Sequence, residues 1–380
     1  MIALTPQQRQ RVRYGLPALI AGGIAWVAFL LIGHTPLVRA SGMALTVVGM
    51  TMALRPMSAP LAIIGGLALA FSPSFWIQTG GAEIFDPLQI ALALLAAAVV
   101  AGGILLFSKR PVIGITAGFI LFAVLFLSVV GEPRSLRLTN VLTAWTLYLL
   151  VDGLLVSNPR PDEPSNGVLG VQHTIGLLLL LAVGVINDPL FVLLVAAGAL
   201  GLFLSRKRLP PGYWAALLAI LAYGLYGISQ TYYSTFWWNY PVEQALGISR
   251  NLPFLIGGVW REPERWIRLM SLIIRQFTAV GLALGVLGLA RLARWHPPVG
   301  VVTMIAFGTY AVFGLIYFGA DSPILLLPLL MIQLLWMTYA VYTFGQWLQK
   351  SVPPTRVRWV AAAAFTLLPL LMLLRIVGMV

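Results

Sequence analysis

The sequence predicts an all-α protein, a polytopic transmembrane helix bundle of about thirteen spans, and three observations carry that prediction. Hydrophobic residues make up 60% of the 380 and charged residues only 9%, against roughly 25% charged in soluble domains. The apolar residues gather in runs near the roughly 20 needed to cross a hydrocarbon core. Lys and Arg, which give a net charge of +13, fall in short turns between those runs, as in a membrane protein held by its cytoplasmic face. In a soluble chain such a charge would point to nucleic acid. Here it points to membrane lipid, and no nucleic-acid partner is expected.

Each span follows from a run and its flanks. The first, Gly15–Gly33, comes after Arg9, Arg11 and Arg13; the order is that of a signal peptide, but no small-residue cleavage site follows, so a retained first helix is expected. Next come Ser41–Leu54, Ala59–Phe71, Pro87–Phe107, Val112–Val130, Leu138–Val156 and Val168–Ile186. Pro189–Leu204, Tyr213–Tyr232, Ile267–Ala290, Val299–Phe318, Ile324–Leu348 and Val357–Val380 complete the set. The second, third and eighth are short and rich in Gly or Pro, which leaves the count between about eleven and thirteen. Placing the N-terminus inside puts Arg55, Lys109, Arg206, Arg291 and Lys350 in cytoplasmic turns, and Glu83, Asp86, Asp188, Glu243 and Asp321 outside. Every inner turn then carries Lys or Arg, so a multi-pass protein of the cell (inner) membrane is expected.

Residues 157–167, with Pro159, Pro161 and Pro164, read as a stiff cytoplasmic linker between two transmembrane halves, 1–156 and 168–380. The first half carries an outer loop, 72–87. The second carries an outer segment, 234–266, whose mixture of Trp, Tyr and polar residues suits the membrane interface.

The absence of cysteine excludes disulfides, thiolate metal sites and cysteine nucleophiles. P-loop, dinucleotide, HExxH and nucleophile-elbow motifs are missing too. His34, His173 and His296 lie on different turns and spans, so neither a metal nor another cofactor is expected. Two sets of residues are left to carry chemistry. Glu83 and Asp86, three apart, would share a helical face, and a carboxylate at a desolvated membrane edge can accept a proton from a hydroxyl. The plainer reading is that they favour the N-terminus of the next helix. Downstream, Pro263 suits a first helical turn, after which Arg265, Arg268 and Arg275 fall within about 80° of one face. Such a stripe matches phosphate oxygens through the guanidinium fork. Alternatively Glu264 and Arg268 make an i,i+4 pair and Arg265 anchors at the interface. Arg275 is harder to place in lipid, because an arginine inside a span is costly unless hydrated or paired.

The stretch from Ala68 to Leu94, "ALAFSPSFWIQTGGAEIFDPLQIALAL", resembles a segment of bacterial membrane proteins related to protein O-mannosyltransferases, of the GT-C glycosyltransferase superfamily. "GVLGVQHTIGLLLL" from Gly167 and "FGADSPILLLPLLMIQLLW" from Phe318 are weaker echoes, in the right order. The resemblance covers a minority of the chain. It implies a GT-C-like fold and transfer of a sugar from a polyprenyl-phosphate donor to an acceptor at the outer face. Glu83 or Asp86 would then supply the catalytic carboxylate, and Arg265, Arg268 and Arg275 would contact the donor phosphate. One departure stands against it: the first outer loop, His34–Ala40, carries no carboxylate where such enzymes usually have one. A non-catalytic membrane scaffold subunit and a transporter are the competing readings, though a transporter is expected to show two related halves, and no duplication is visible.

Overall fold

The computed structural model describes residues 6–80, 97–98, 101–102, 111–128, 136–155, 171–205, 209–231, 261–317, 319, 321–349 and 354–379. All regular structure among them is helical. The helices are α1 (Pro6–Leu31), α2 (Leu37–Leu54), α3 (Ala59–Ala70), α4 (Pro73–Trp76), α5 (Pro111–Ser128), α6 (Leu136–Leu155) and α7 (Val171–Asn187). After a 3₁₀ turn at Pro189–Phe191 come α8 (Val192–Leu204), α9 (Pro211–Thr231), α10 (Pro263–Trp295), α11 (Pro297–Ile316), α12 (Ser322–Leu325), α13 (Leu327–Leu348) and α14 (Pro354–Ile376). Each expected span coincides with a helix except Pro87–Phe107, most of which lies outside the described residues. Glu83, Asp86 and the segments 157–167 and 234–260 also lie outside them. By length and composition, five described helices can cross a membrane, or six if a bent pair counts as one span.

Local sequence explains the boundaries. Proline opens α4, α10 and α11, where its missing N–H is no loss. Ser58 caps α3 by accepting from the Leu61 N–H at 3.3 Å, satisfying a donor that has no partner within the helix. Burial follows the pattern of apolar residues. In α13 every residue from Leu327 to Ala340 is buried, as expected of a helix that is apolar all round. It packs on α10, α14, α11 and α3 and forms the axis of the second half. In the first half α2 has that place, against α1, α3 and α6. In α9 only Leu217 and Gly224 are buried, so it is peripheral.

Two expected spans differ in shape. Ala59–Phe71 does not stand as one straight span: α3 bends by 59° into the short helical stretch Pro73–Thr79, because Pro73 has no N–H to continue the α3 ladder. The span expected at Ile267–Ala290 is longer, 33 residues from Pro263 to Trp295, and it is broken at Thr278, whose φ of 67° and ψ of 171° are not helical. Beyond the break, Gly281, Gly285 and Gly288 face α13. A Cβ at Gly285 would collide with the Gln333 amide, and one at Gly288 with the Trp336 carbonyl oxygen. The missing side chains therefore let the two backbones approach, the device used by small residues at membrane helix contacts. Gln333 donates from Nε2 to the Gly281 carbonyl at 3.0 Å and ties the seam.

Two groups of polar side chains stand at opposite ends of the helices. At one end Tyr14 donates to Asp152 Oδ1 at 3.0 Å, His173 Nε2 lies 3.3 Å from Asp152 Oδ2, and the Arg55 guanidinium stands 5.4 Å from the Tyr14 ring centre. This joins the start of α1, the end of α2, the end of α6 and the start of α7. At the other end are Arg39, Asn140, Asp188 and the bent stretch after α3. The two groups are referred to below as the Asp152 end and the Arg39 end.

Candidate functional site

The candidate site lies at the Arg39 end, where α10 meets the C-terminus of α11 and the N-terminus of α13. Arg268 and Arg275 both line one open cavity of about 300 Å³, together with Ser271, Leu272, Tyr317, Ser322 and backbone at Gly314 and Gly319. Seven residues is close to two turns, so the two arginines share a face and lie about 10 Å apart along the axis. Both are exposed. Arg275 makes no hydrogen bond or ion pair with another described residue, so its charge is open to whatever fills the cavity.

Arg265 does not join them. Its Nε donates to Glu262 and its Nη1 to the Leu315 carbonyl at 2.9 Å. Sixty degrees around the helix from Arg268, it pins the first turn of α10 to the end of α11. The expected stripe of three arginines is thus a pair plus a brace.

The loop residues are connected to this helix through Gln276, a residue that sequence reasoning passed over. The Ser74 N–H donates to Gln276 Oε1 at 2.9 Å, and Gln276 Nε2 donates to Ser74 Oγ at 2.7 Å. Both side chains are buried. Positions 202 apart in sequence are clamped by two hydrogen bonds, beside Arg275 on one side and in the bent stretch leading to Glu83 and Asp86 on the other. Those two carboxylates are outside the described residues, but the described chain before them is fixed on both flanks. Arg39, 3% exposed, donates from Nη1 to the Gly80 and Thr79 carbonyls. Gln78 accepts from Asn140 Nδ2 at 3.2 Å. Sequence reasoning passed over Arg39 as well. Its partners could not be guessed, since they are backbone carbonyls forty residues away.

Asp188 has an architectural place. It is buried, accepts from Thr139 Oγ1 at 3.1 Å and from the Leu190 N–H at 3.0 Å, and so caps the 3₁₀ turn before α8. The histidines are separated: His34 follows α1, His173 meets Asp152, and His296 joins α10 to α11 with its ring 6.2 Å from that of Tyr339. Burial lowers the pKa of His296 from its ordinary value, favouring the neutral ring.

An acid near the cavity went unassigned. Asp321 lies between the lining residues Gly319 and Ser322, and Tyr317 donates its hydroxyl to Asp321 Oδ1 at 2.6 Å. Compared with known proteins, the chain matches no family model, no curated protein and no solved structure.

Proposed function

We propose that this chain is a GT-C-like membrane glycosyltransferase that takes a sugar from a polyprenyl-phosphate donor at the Arg39 end, and that this end faces outside with the N-terminus in the cytoplasm. The observation that carries the reading is the pair Arg268 and Arg275 in one cavity, the second about two turns below the first. A guanidinium at that depth is costly facing lipid. It is stabilised by a phosphate that arrives from the bilayer side, and its fork can bind two phosphate oxygens at once. The sugar would then lie toward the cavity mouth. In transfer, the acceptor oxygen attacks the anomeric carbon, the bond to phosphate breaks, and the arginines take up the charge left on the lipid phosphate. Glu83 or Asp86 would accept the proton of the acceptor hydroxyl.

Membranes carrying the overproduced chain are expected to release polyprenyl phosphate from polyprenyl-phosphate mannose, and Arg275→Leu is expected to abolish the release. Equal release with and without the chain would sink the transferase reading. A second reading, a non-catalytic subunit that holds a lipid phosphate, is favoured by the segment His34–Ala40, which has no carboxylate. It predicts retention of polyprenyl phosphate by the purified chain with no release from the mannose-linked lipid.

A further inference from the structure

We propose that Tyr317 and Asp321 form a hydroxyl-binding subsite that recognises the sugar carried by the phosphate at Arg268 and Arg275. The inference rests on the phosphate reading above and adds the group that reads the other end of the donor head. Four observations support it. Tyr317 lies just past the end of α11 and lines the arginine cavity. Its ring stacks on Phe313, with centroids 5.2 Å apart and planes 14° from parallel, which fixes where its hydroxyl points. That hydroxyl donates to Asp321 Oδ1 at 2.6 Å, a short charge-assisted bond.

Asp321 is also spared the work its position suggests. It stands at the N-cap of α12, where an aspartate ordinarily accepts from the backbone two or three residues on, yet its side chain makes no capping bond. The carboxylate is turned to Tyr317 instead, and Oδ2 has no partner among the described residues. Gly319 makes this turn possible: a Cβ there would collide with both the Tyr317 hydroxyl and Asp321 Oδ1. An exposed carboxylate with one oxygen oriented and the other open, in the loop whose Tyr317, Gly319 and Ser322 line the cavity, is unsuited to a phosphate and suited to hydroxyl donors. Vicinal ring hydroxyls of a sugar are such donors, and a hydrogen bond to a charged group is stronger than one between neutral groups. Arginines for the phosphate, and the Tyr317–Asp321 pair at the cavity wall for the hydroxyls, serve the two chemistries of a glycosyl phosphate.

The test uses the full chain in phosphatidylcholine nanodiscs and two probes, polyprenyl phosphate and polyprenyl-phosphate mannose. The native protein is expected to prefer the mannose-bearing lipid by roughly tenfold or more. In Asp321→Asn and Tyr317→Phe that preference is expected to fall close to one, with the bare lipid phosphate bound as before, or slightly more tightly once the nearby negative charge is gone. Arg275→Leu should weaken both probes alike. A preference unchanged in Asp321→Asn, or absent in the native protein, overturns the subsite and leaves the phosphate reading standing. Loss of both probes in Asp321→Asn makes the pair a structural brace and also overturns it. Binding of both probes that survives Arg275→Leu removes the phosphate reading, and the subsite with it.

Discussion

At the scale of the residue, Arg275, Gln276 and the pair Glu83 and Asp86 carry separable consequences. Arg275 presents a charge with no described partner in a cavity. Lysine keeps the charge but loses the planar fork, so Arg275→Lys should weaken retention of polyprenyl phosphate by about tenfold and Arg275→Leu by more, on the scale of one charge-assisted hydrogen bond. Equal retention by the native protein and both variants would show that the guanidinium does not touch the lipid. Gln276 is next in sequence and opposite in character, being buried and fully engaged with Ser74. Gln276→Met keeps the volume but strands two buried Ser74 groups, each costing about 1–3 kcal/mol. A fall in the midpoint of thermal unfolding in detergent is expected, and an unchanged midpoint would mean that the clamp contributes nothing. For the loop carboxylates, replacing Glu83 by Gln together with Asp86 by Asn should slow sugar release by about 10² to 10⁴, the usual loss of a positioned base. Release at the native rate from the double variant would exclude both. Arg275 was legible as a functional candidate because a charge inside an apolar run is rare and expensive. Gln276 and Asp321 were not, because an uncharged amide inside an apolar run attracts no notice and an aspartate two residues before a proline has an ordinary use as a helix cap, and only the fold shows what each one touches.

At the scale of the element, apolar runs located the helices well because an apolar surrounding leaves the backbone few alternatives to internal hydrogen bonding. It did not reveal the bend after Ala70 or the break at Thr278. Pro73 hinted at the first; a threonine in a positive-φ conformation has no sequence signature, since that region disfavours branched side chains. Nor does a count of glycines say which ones matter. Gly288 meets the Trp336 carbonyl oxygen, a backbone atom that cannot swing away, whereas Gly23 has nothing within 4 Å of an added Cβ. Gly288→Ala should therefore lower stability by about 1–3 kcal/mol through overpacking, while Gly23→Ala should be neutral or slightly stabilising through helix propensity. Thermal unfolding of the two variants side by side checks this, and similar midpoints would deny that the α10–α13 seam is close-packed at Gly288.

At the scale of the molecule, two groups of polar side chains stand at opposite ends of the helices. Tyr14, Arg55, Asp152 and His173 meet at one end; Arg39, Gly80, Asn140 and Asp188 belong to the other. The proposed orientation is open to a direct check, since the chain has no native cysteine. Glu262 and Trp295 flank the two ends of α10 and both are exposed. Glu262→Cys should react with an impermeant maleimide added to intact cells, and Trp295→Cys only after permeabilisation; labelling of both from one side would mean that α10 does not cross. The same helix has a mechanical consequence. Its ladder is interrupted at Thr278, after the arginines and before the glycines that lock it to α13. The portion before Thr278, which carries both arginines, is therefore not joined to the glycine-locked portion by a continuous helical ladder, like a door leaf whose hinge is set in a fixed frame.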